Sequence, residues 1–217
     1  MSVVAIAAAA GPLDTPRRMQ SLPAEQESRT DEALMRAYGG GDVRAFEALY
    51  ERHKAATYRY FLRHAGGQAA TADELHQDLW LKVIGARARY TTQARFSTWL
   101  YTLARHRMID HWRVRGGVSL DSLEDEDTFA QLESFVAASD DPSLDPLGAS
   151  IDAQARERLV AALEGVPALQ RDAFLLHLEG GLSLEEVATL TCASVETVKS
   201  RLRYAYRRLR KTLEDLR

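Results

Sequence analysis

Four glycine clusters, Gly39-Gly40-Gly41, Gly66-Gly67, Gly116-Gly117 and Gly180-Gly181, divide this chain, and between them the apolar residues recur at helical spacing. Glycine stops helices because it enters the left-handed backbone region without steric penalty. No run of alternating β-branched residues lies between turn signals, so an all-α fold is expected. Thr30 is placed to cap a first helix reaching about Tyr38. Asp42 is placed to cap a second, with Phe46, Leu49, Tyr50, His53, Tyr58 and Phe61 near helical spacing. Thr71-Ala72-Asp73-Glu74 has the form of a capping box, followed on one side by Leu75, Leu79, Lys82 and Val83. A further helix is expected from about Ser97 to Arg113, carrying Trp99, Leu103, Met108 and Trp112. Helix resumes around Asp152, with Leu159 and Leu163 one turn apart, and Pro167 opens another.

Charge divides the chain in the same places. The whole carries 28 basic and 31 acidic residues, a net charge of −3 that by itself argues weakly against nucleic acid. Residues 29–115 hold 15 basic and 9 acidic groups, net +6, and residues 156–217 hold 11 and 9, net +2. Residues 116–155 hold 10 acids and no Lys or Arg. Asp, Ser, Pro and Gly are frequent there, as in a linker. The organisation expected is a flexible tail over 1–28, a helical domain over 29–115, an acidic flexible linker over 116–152 and a second small helical domain over 153–217. Within the linker, Phe129, Leu132 and Phe135 could form a short amphipathic turn. The stretch Val3 to Ala10 is apolar but lacks the preceding positive charge of a secretory signal, and is read as a mobile tail. No apolar run reaches the ~18 residues that span a bilayer, so no membrane insertion is expected. A single cysteine excludes a disulfide framework and a multi-cysteine zinc site, and fits a reducing cytoplasm.

Near the C-terminus, Ser183-Leu184-Glu185-Glu186 is a second capping box, opening a short helix to about Leu190. Thr191, Cys192 and Ala193 form a turn, and Ser194 caps a helix that turns Val198, Leu202 and Leu209 inward. Ala188 is small enough for the second helix to approach closely, which is the geometry of a DNA-binding helix-turn-helix. That second helix exposes Thr197, Lys199, Ser200, Arg201, Arg203 and Tyr204, with Arg207, Arg208 and Arg210 further along. Lys and Arg can donate to guanine O6 and N7, while Ser and Thr can serve base or phosphate. The segment from Lys199 to Lys211 holds seven basic residues and no acid. An ordinary helical hairpin with a solvated basic face is the plainer alternative. Cys192 stands where such turns often carry glycine; it is either a packed thiol or a redox-sensitive one.

From Phe96 to Arg113 aromatic residues and arginines interleave on one helix. Aromatic faces can receive unstacked bases, at about 1–3 kcal/mol each, while arginine tracks phosphate. Trp99 and Trp112 can equally be core residues. Taken in order, the motifs resemble a bacterial sigma factor of the sigma-70 family, in its minimal extracytoplasmic-function (ECF) group. Ala45-Phe46-Glu47-Ala48-Leu49-Tyr50 resembles the start of sigma region 2, and Ala72 to Lys82 its polymerase-binding helix. Phe96 to Arg113 resembles its melting and −10 recognition helix. Val166-Pro167 through Lys211 resembles region 4, most specifically in Thr197-Val198-Lys199-Ser200-Arg201-Leu202.

The resemblance implies a protein that binds core RNA polymerase and brings it to promoter DNA, with no cofactor or metal. It assigns Asp73, Glu74, Gln77, Asp78 and Leu81 to core polymerase. It assigns Ser194, Thr197, Lys199, Ser200, Arg201, Arg203, Tyr204 and Arg207 to the duplex −35 element. It assigns Tyr90, Arg95, Phe96, Trp99, Tyr101, Arg105, His106 and Arg113 to the −10 element as it becomes single-stranded, with a flipped base held near the loop from Tyr90 to Arg95. His106 stands where the family run carries asparagine, so no −10 preference transfers. The acidic linker either imitates nucleic acid in the polymerase channels or simply keeps the tether soluble. An anti-sigma partner is implied as well.

A DNA-binding regulator that does not recruit polymerase would explain residues 156–217 equally well, but would leave the 72–82 and 96–113 segments without a role. An enzyme is disfavoured: no Gly-rich phosphate loop, nucleophile elbow or HExxH motif occurs, and Glu124 to Asp127 lies in the linker.

Overall fold

The computed structural model describes residues 28–91, 94–114 and 153–214. Nearly all of the expected N-terminal tail, the acidic linker and its turn at Phe129, Leu132 and Phe135 lie outside the described residues.

The N-terminal group comprises α1 (Asp31–Gly39), α2 (Val43–His64), α3 (Ala69–Ala86), a 3-10 turn (Arg87–Arg89) and α4 (Phe96–Val114). The C-terminal group comprises α5 (Ala153–Glu164), α6 (Ala168–Leu178), α7 (Leu184–Thr191) and α8 (Val195–Glu214). The fold is all-α, as the periodicity predicts, and no strand occurs among the described residues.

Local chemistry starts most helices where expected. Thr30 Oγ1 accepts from the Ala33 amide at 3.3 Å, with Asp31 and Glu32 favourably placed in the positive first turn of α1. Asp42 Oδ1 accepts from the amides of Arg44 and Ala45 at the start of α2. The start of α3 differs from expectation. It begins at Ala69 behind Gln68, so Thr71 is an interior residue and no capping box forms there. Ala69 and Ala70 favour helix, and they carry it back to the turn at Gly66 and Gly67. The start of α4 uses a partner distant in sequence: Glu32 Oε1 accepts the Phe96 amide at 2.7 Å, so α1 caps α4.

Each group buries a stripe. Leu34, Met35, Tyr38, Phe46, Leu49, Trp80, Phe96 and Leu100 fill the N-terminal group, with Phe46 and Trp80 edge to face at 5.8 Å. Trp80 Nε1 donates to His76 Nε2 at 3.0 Å; indole only donates, so His76 must be neutral at that atom. Phe174, Leu176, Val187, Val198, Leu202, Ala205 and Leu209 fill the C-terminal group. The two cores are not separate. Their buried apolar residues form one continuous cluster, because α6 packs against α2, and α7 against α4.

Candidate nucleic-acid interface

The helix-turn-helix is built by α7 and α8. Ser183 Oγ accepts from the Glu186 amide at 3.2 Å, and Glu186 Oε2 accepts from the Ser183 amide at 2.8 Å, closing the capping box. Cys192 ends α7 in the left-handed region, at φ 53°, and the Ala193 amide then donates to the Ala188 carbonyl at 3.0 Å. Cysteine therefore does adopt the backbone that glycine would supply. Ser194 Oγ accepts from the Thr197 amide at 3.0 Å and so starts α8.

Val198, Leu202 and Leu209 point inward as expected, which turns the basic stripe of α8 outward. Arg203, Arg207, Arg208, Arg210 and Lys211 are exposed, and Lys199, Ser200, Arg201 and Tyr204 are half-buried. Several of the −35 candidates already have local partners. Ser194 and Thr197 share a 2.8 Å hydrogen bond, and Lys199 Nζ donates to Glu196 Oε1 at 2.7 Å. The Arg207 guanidinium lies 5.8 Å from the Tyr204 ring centroid.

On α3, Asp73, Glu74, Gln77 and Leu81 are exposed and Asp78 is half-buried. Their spacing puts all five on one side of the helix. Leu81 is 37% exposed, an unusual position for a large apolar side chain here. Arg107 of α4 donates through Nε to Asp78 Oδ2 at 2.7 Å and approaches Glu74 at 3.5 Å.

The −10 candidates divide into three sets. Phe96 is fully buried in the core, and Tyr90 and Trp99 pack edge to face at 5.0 Å. Trp99 also lines an open cavity of about 220 Å³ with Arg89, Thr91, Ala94, Thr98 and Thr102. Arg95, His106 and Arg113 are exposed. Tyr101 and Arg105, by contrast, are engaged by the C-terminal group. Tyr101 Oη donates to the Glu179 carbonyl at 2.8 Å, and burial pushes its phenol well above the usual range. Arg105 Nε donates to Asp172 Oδ2 at 2.7 Å.

Asp172, Glu179 and Glu186 are the residues that sequence reading missed. Asp172 also accepts from Tyr60 Oη at 3.2 Å. Glu179 pairs with Arg59 at 2.8 Å and with Arg63. Glu186 accepts from Thr98 Oγ1 at 2.6 Å while still serving the capping box. Burial alone would raise the Asp172 carboxyl; His64 and Arg105 beside it more than offset this and hold it below the usual carboxylate range. The one available signal was three carboxylates at the ends or on the apolar faces of short helices. Among the described residues no cluster of His, Cys, Asp and Glu could hold a metal ion, and no helix is long and apolar enough to cross a membrane.

Helices with an outward basic stripe behind a tight turn, and an aromatic-arginine helix beside a cavity, define a DNA-binding protein of the helix-turn-helix class. Comparison with known proteins narrows this. Residues 49–117 match the family model for sigma-70 region 2, and residues 156–209 that for sigma-70 region 4. The ECF RNA polymerase sigma factor SigK of Mycobacterium sp. (strain KMS) is 32% identical over 185 residues, covering 84% of this chain and 90% of that protein. SigK of Mycobacterium bovis (strain BCG / Pasteur 1173P2) is 29% identical over 188 residues, covering 84% and 93%. Two solved structures share the fold at 22% identity. One is CnrH in complex with the cytosolic domain of CnrY, at a TM-score of 0.59, covering 85% of this chain and 97% of that one. The other is the sigma factor RpoE of Bartonella quintana in complex with the anti-sigma factor NepR, at 0.57, covering 78% and 96%. The chain belongs to the ECF group of the sigma-70 family of sigma factors. As a sigma factor it directs transcription initiation.

Proposed function

We propose a division of labour along the chain. The outward side of α3, with Asp73, Glu74, Gln77, Asp78 and Leu81, docks on core RNA polymerase. The outward stripe of α8, from Ser194 through Thr197, Lys199, Ser200, Arg201, Arg203 and Tyr204 to Arg207, lies in the major groove of the −35 duplex. The helix α4 and the loop before it, with Tyr90, Arg95, Phe96, Trp99, Tyr101, Arg105, His106 and Arg113, take the −10 element as it opens. Of these, Phe96 contributes from the core by positioning Tyr90 and Trp99, whose rings it touches. Residues 29–115 and 153–217 are the two working domains, and 116–152 joins them.

The observation that carries this reading is the basic stripe of α8, exposed immediately after a left-handed turn at Cys192. A helix held that way enters the major groove with its first residues at the base edges and its later arginines on phosphate. The open cavity beside Trp99 supports the −10 role, since its size and aromatic wall suit one unstacked base. The sigma subunit acts in the cytoplasm without a cofactor and without a reaction of its own, and is held in check by an anti-sigma partner. The fold it shares with RpoE, which was solved with the anti-sigma factor NepR, supports that last point.

The test mixes the purified chain with core polymerase and genomic DNA of its host and maps transcript starts. Discrete new starts sharing two sequence motifs at a fixed spacing are expected. DNA binding with no polymerase association and no new starts would instead make it a plain helix-turn-helix regulator.

A further inference from the structure

The two ends of the loop beside the Trp99 cavity are both held by α1. At the exit, Glu32 Oε1 accepts the Phe96 amide at 2.7 Å, from 64 residues away in sequence. The neighbouring Asp31 Oδ2 lies 2.7 Å from His53 Nε2, and the His53 ring lies 5.2 Å from that of Phe96. At the entrance, the 3-10 turn Arg87–Arg89 sits on the far end of α1. The Arg87 guanidinium lies 5.5 Å from the Tyr38 ring centroid, and a Cβ on Gly39 would stand 3.0 Å from the Arg87 carbonyl oxygen. Tyr90 stands between these anchors. Its hydroxyl is buried and has no hydrogen-bond partner among the described residues. Ring contacts hold it, to Phe96 at 6.2 Å and to Trp99 at 5.0 Å. Trp99 is a wall of the cavity, with Arg89 and Thr91 on the entrance side and Thr98 and Thr102 on α4. The match to sigma-70 region 2 begins at residue 49, so α1 lies outside it.

We propose that α1 is the brace of the −10 pocket, and that Glu32 is a positioning residue for base discrimination there, acting through the Phe96 amide. A pocket rejects a wrong base only as well as its walls are fixed, because a wall that can shift re-forms around the misfit. Phe96 is buried and touches both Tyr90 and Trp99, so any displacement of the first turn of α4 reaches both rings. The bond that fixes that turn is charge-assisted, carboxylate to amide, and so stronger than a neutral one. Two properties of Glu32 are separable: its charge, which favours the first turn of α1, and its reach, which fixes α4. Glu32→Asp keeps the charge and loses the reach. Glu32→Gln keeps the reach, with an amide oxygen as acceptor. A residue that only stabilised α1 would tolerate Asp better than Gln; a residue that positions α4 tolerates Gln better than Asp. The inference rests on the assignment of Trp99 and its cavity to the −10 element.

The test assembles holoenzymes with the parent chain, Glu32→Asp, Glu32→Gln, Asp42→Ala and Trp99→Ala, and each transcribes a base-by-base promoter library. Asp42→Ala removes the cap of α2, and so lowers the stability of the same helical group without touching α4. Glu32→Asp is expected to lower discrimination at one position of the downstream motif by about tenfold, the scale of one hydrogen bond to a charged group. The upstream motif keeps the parent profile. Glu32→Gln is expected to keep most of the downstream discrimination, and Asp42→Ala all of it, although its melting temperature falls. The brace is overturned if Glu32→Asp keeps the parent downstream profile, if Glu32→Gln relaxes it as far as Glu32→Asp does, or if Asp42→Ala relaxes it equally. Trp99→Ala separates these results from a failure of the assignment beneath them. Relaxed discrimination in Trp99→Ala beside a parent profile in Glu32→Asp leaves the pocket in place and removes the brace. A parent downstream profile in Trp99→Ala as well means that the cavity does not read the −10 element, and the inference falls with that assignment.

Discussion

Arg105 of α4 and Asp172 of α6, 67 residues apart in sequence, meet through a 2.7 Å hydrogen bond from Nε to Oδ2. Asp172 is 2% exposed, so this is a desolvated pair. Removing one member strands a buried charge, which typically costs about 3–5 kcal/mol. Asp172→Ala and Arg105→Ala should therefore each lower stability strongly, and the double variant should cost less than their sum. A double-mutant cycle by urea denaturation should give a coupling of about 1–3 kcal/mol.

His64 lies beside this pair, its Nε2 3.5 Å from Asp172 Oδ1, between the rings of Tyr60 and Trp112. Burial holds its imidazole below the usual histidine range, outweighing the pull of Asp172, and burial does the same for His76. The unfolded chain therefore takes up protons near pH 6.5 that the folded chain still refuses. Stability should be full above about pH 6.5 and fall as pH drops through the lowered folded values. A second loss follows at more acid pH, as the medium passes from the usual carboxylate range down through the depressed folded range of Asp172, Glu32 and Glu186. Thermal melts between pH 8 and 5 check this, and His64→Phe should make the slope shallower.

Cys192 holds φ 53°, the only positive φ on a non-glycine residue among those described. A side chain in that region costs on the order of 1 kcal/mol, part of which glycine returns through a freer unfolded chain. Cys192→Gly should thus raise stability by up to about 1 kcal/mol, seen as a melting point higher by a few degrees. An unchanged or lower melting point would mean that the thiol makes compensating contacts.

Much of the C-terminal architecture was legible because its determinants are local. The Ser183 box, the Cys192 turn and the inward set of Val198, Leu202 and Leu209 all act within about one helix of their own positions. Thr71 misled for the same reason: the motif is local, but Ala69 and Ala70 extend the helix past it. The contacts between the two helical groups were not legible. Asp172, Glu179 and Glu186 meet partners 67 to 120 residues away, and helical periodicity marks a buried side without saying what covers it. Glu186 was read as a cap, which it is, and its second bond to Thr98 left no trace in the pattern. Tyr101 and Arg105 were legible as aromatic and basic residues of one helix, but not as residues already occupied.

Leu81 is exposed on α3 one turn after Gln77 and Asp78, and burying a leucine against a partner contributes about 1.5–3 kcal/mol. Leu81→Ala should weaken binding to core polymerase by roughly ten- to a hundredfold with the fold intact. Sedimentation or fluorescence anisotropy with core polymerase measures this, beside circular dichroism as the control. An affinity equal to that of the parent would remove α3 from the polymerase interface.

The division of labour between α4 and α8 is tested most directly by a base-by-base promoter library transcribed by two holoenzymes, one with the parent chain and one with Arg203→Ala. Arg203 is exposed on α8 and lies far along the chain from α4. A lost base contact costs about 1–3 kcal/mol and relaxes discrimination at one position. The account predicts that relaxed positions fall within the upstream motif while the downstream motif and its spacing keep the parent profile. Relaxation in the downstream motif, or an unchanged profile in both, would contradict it.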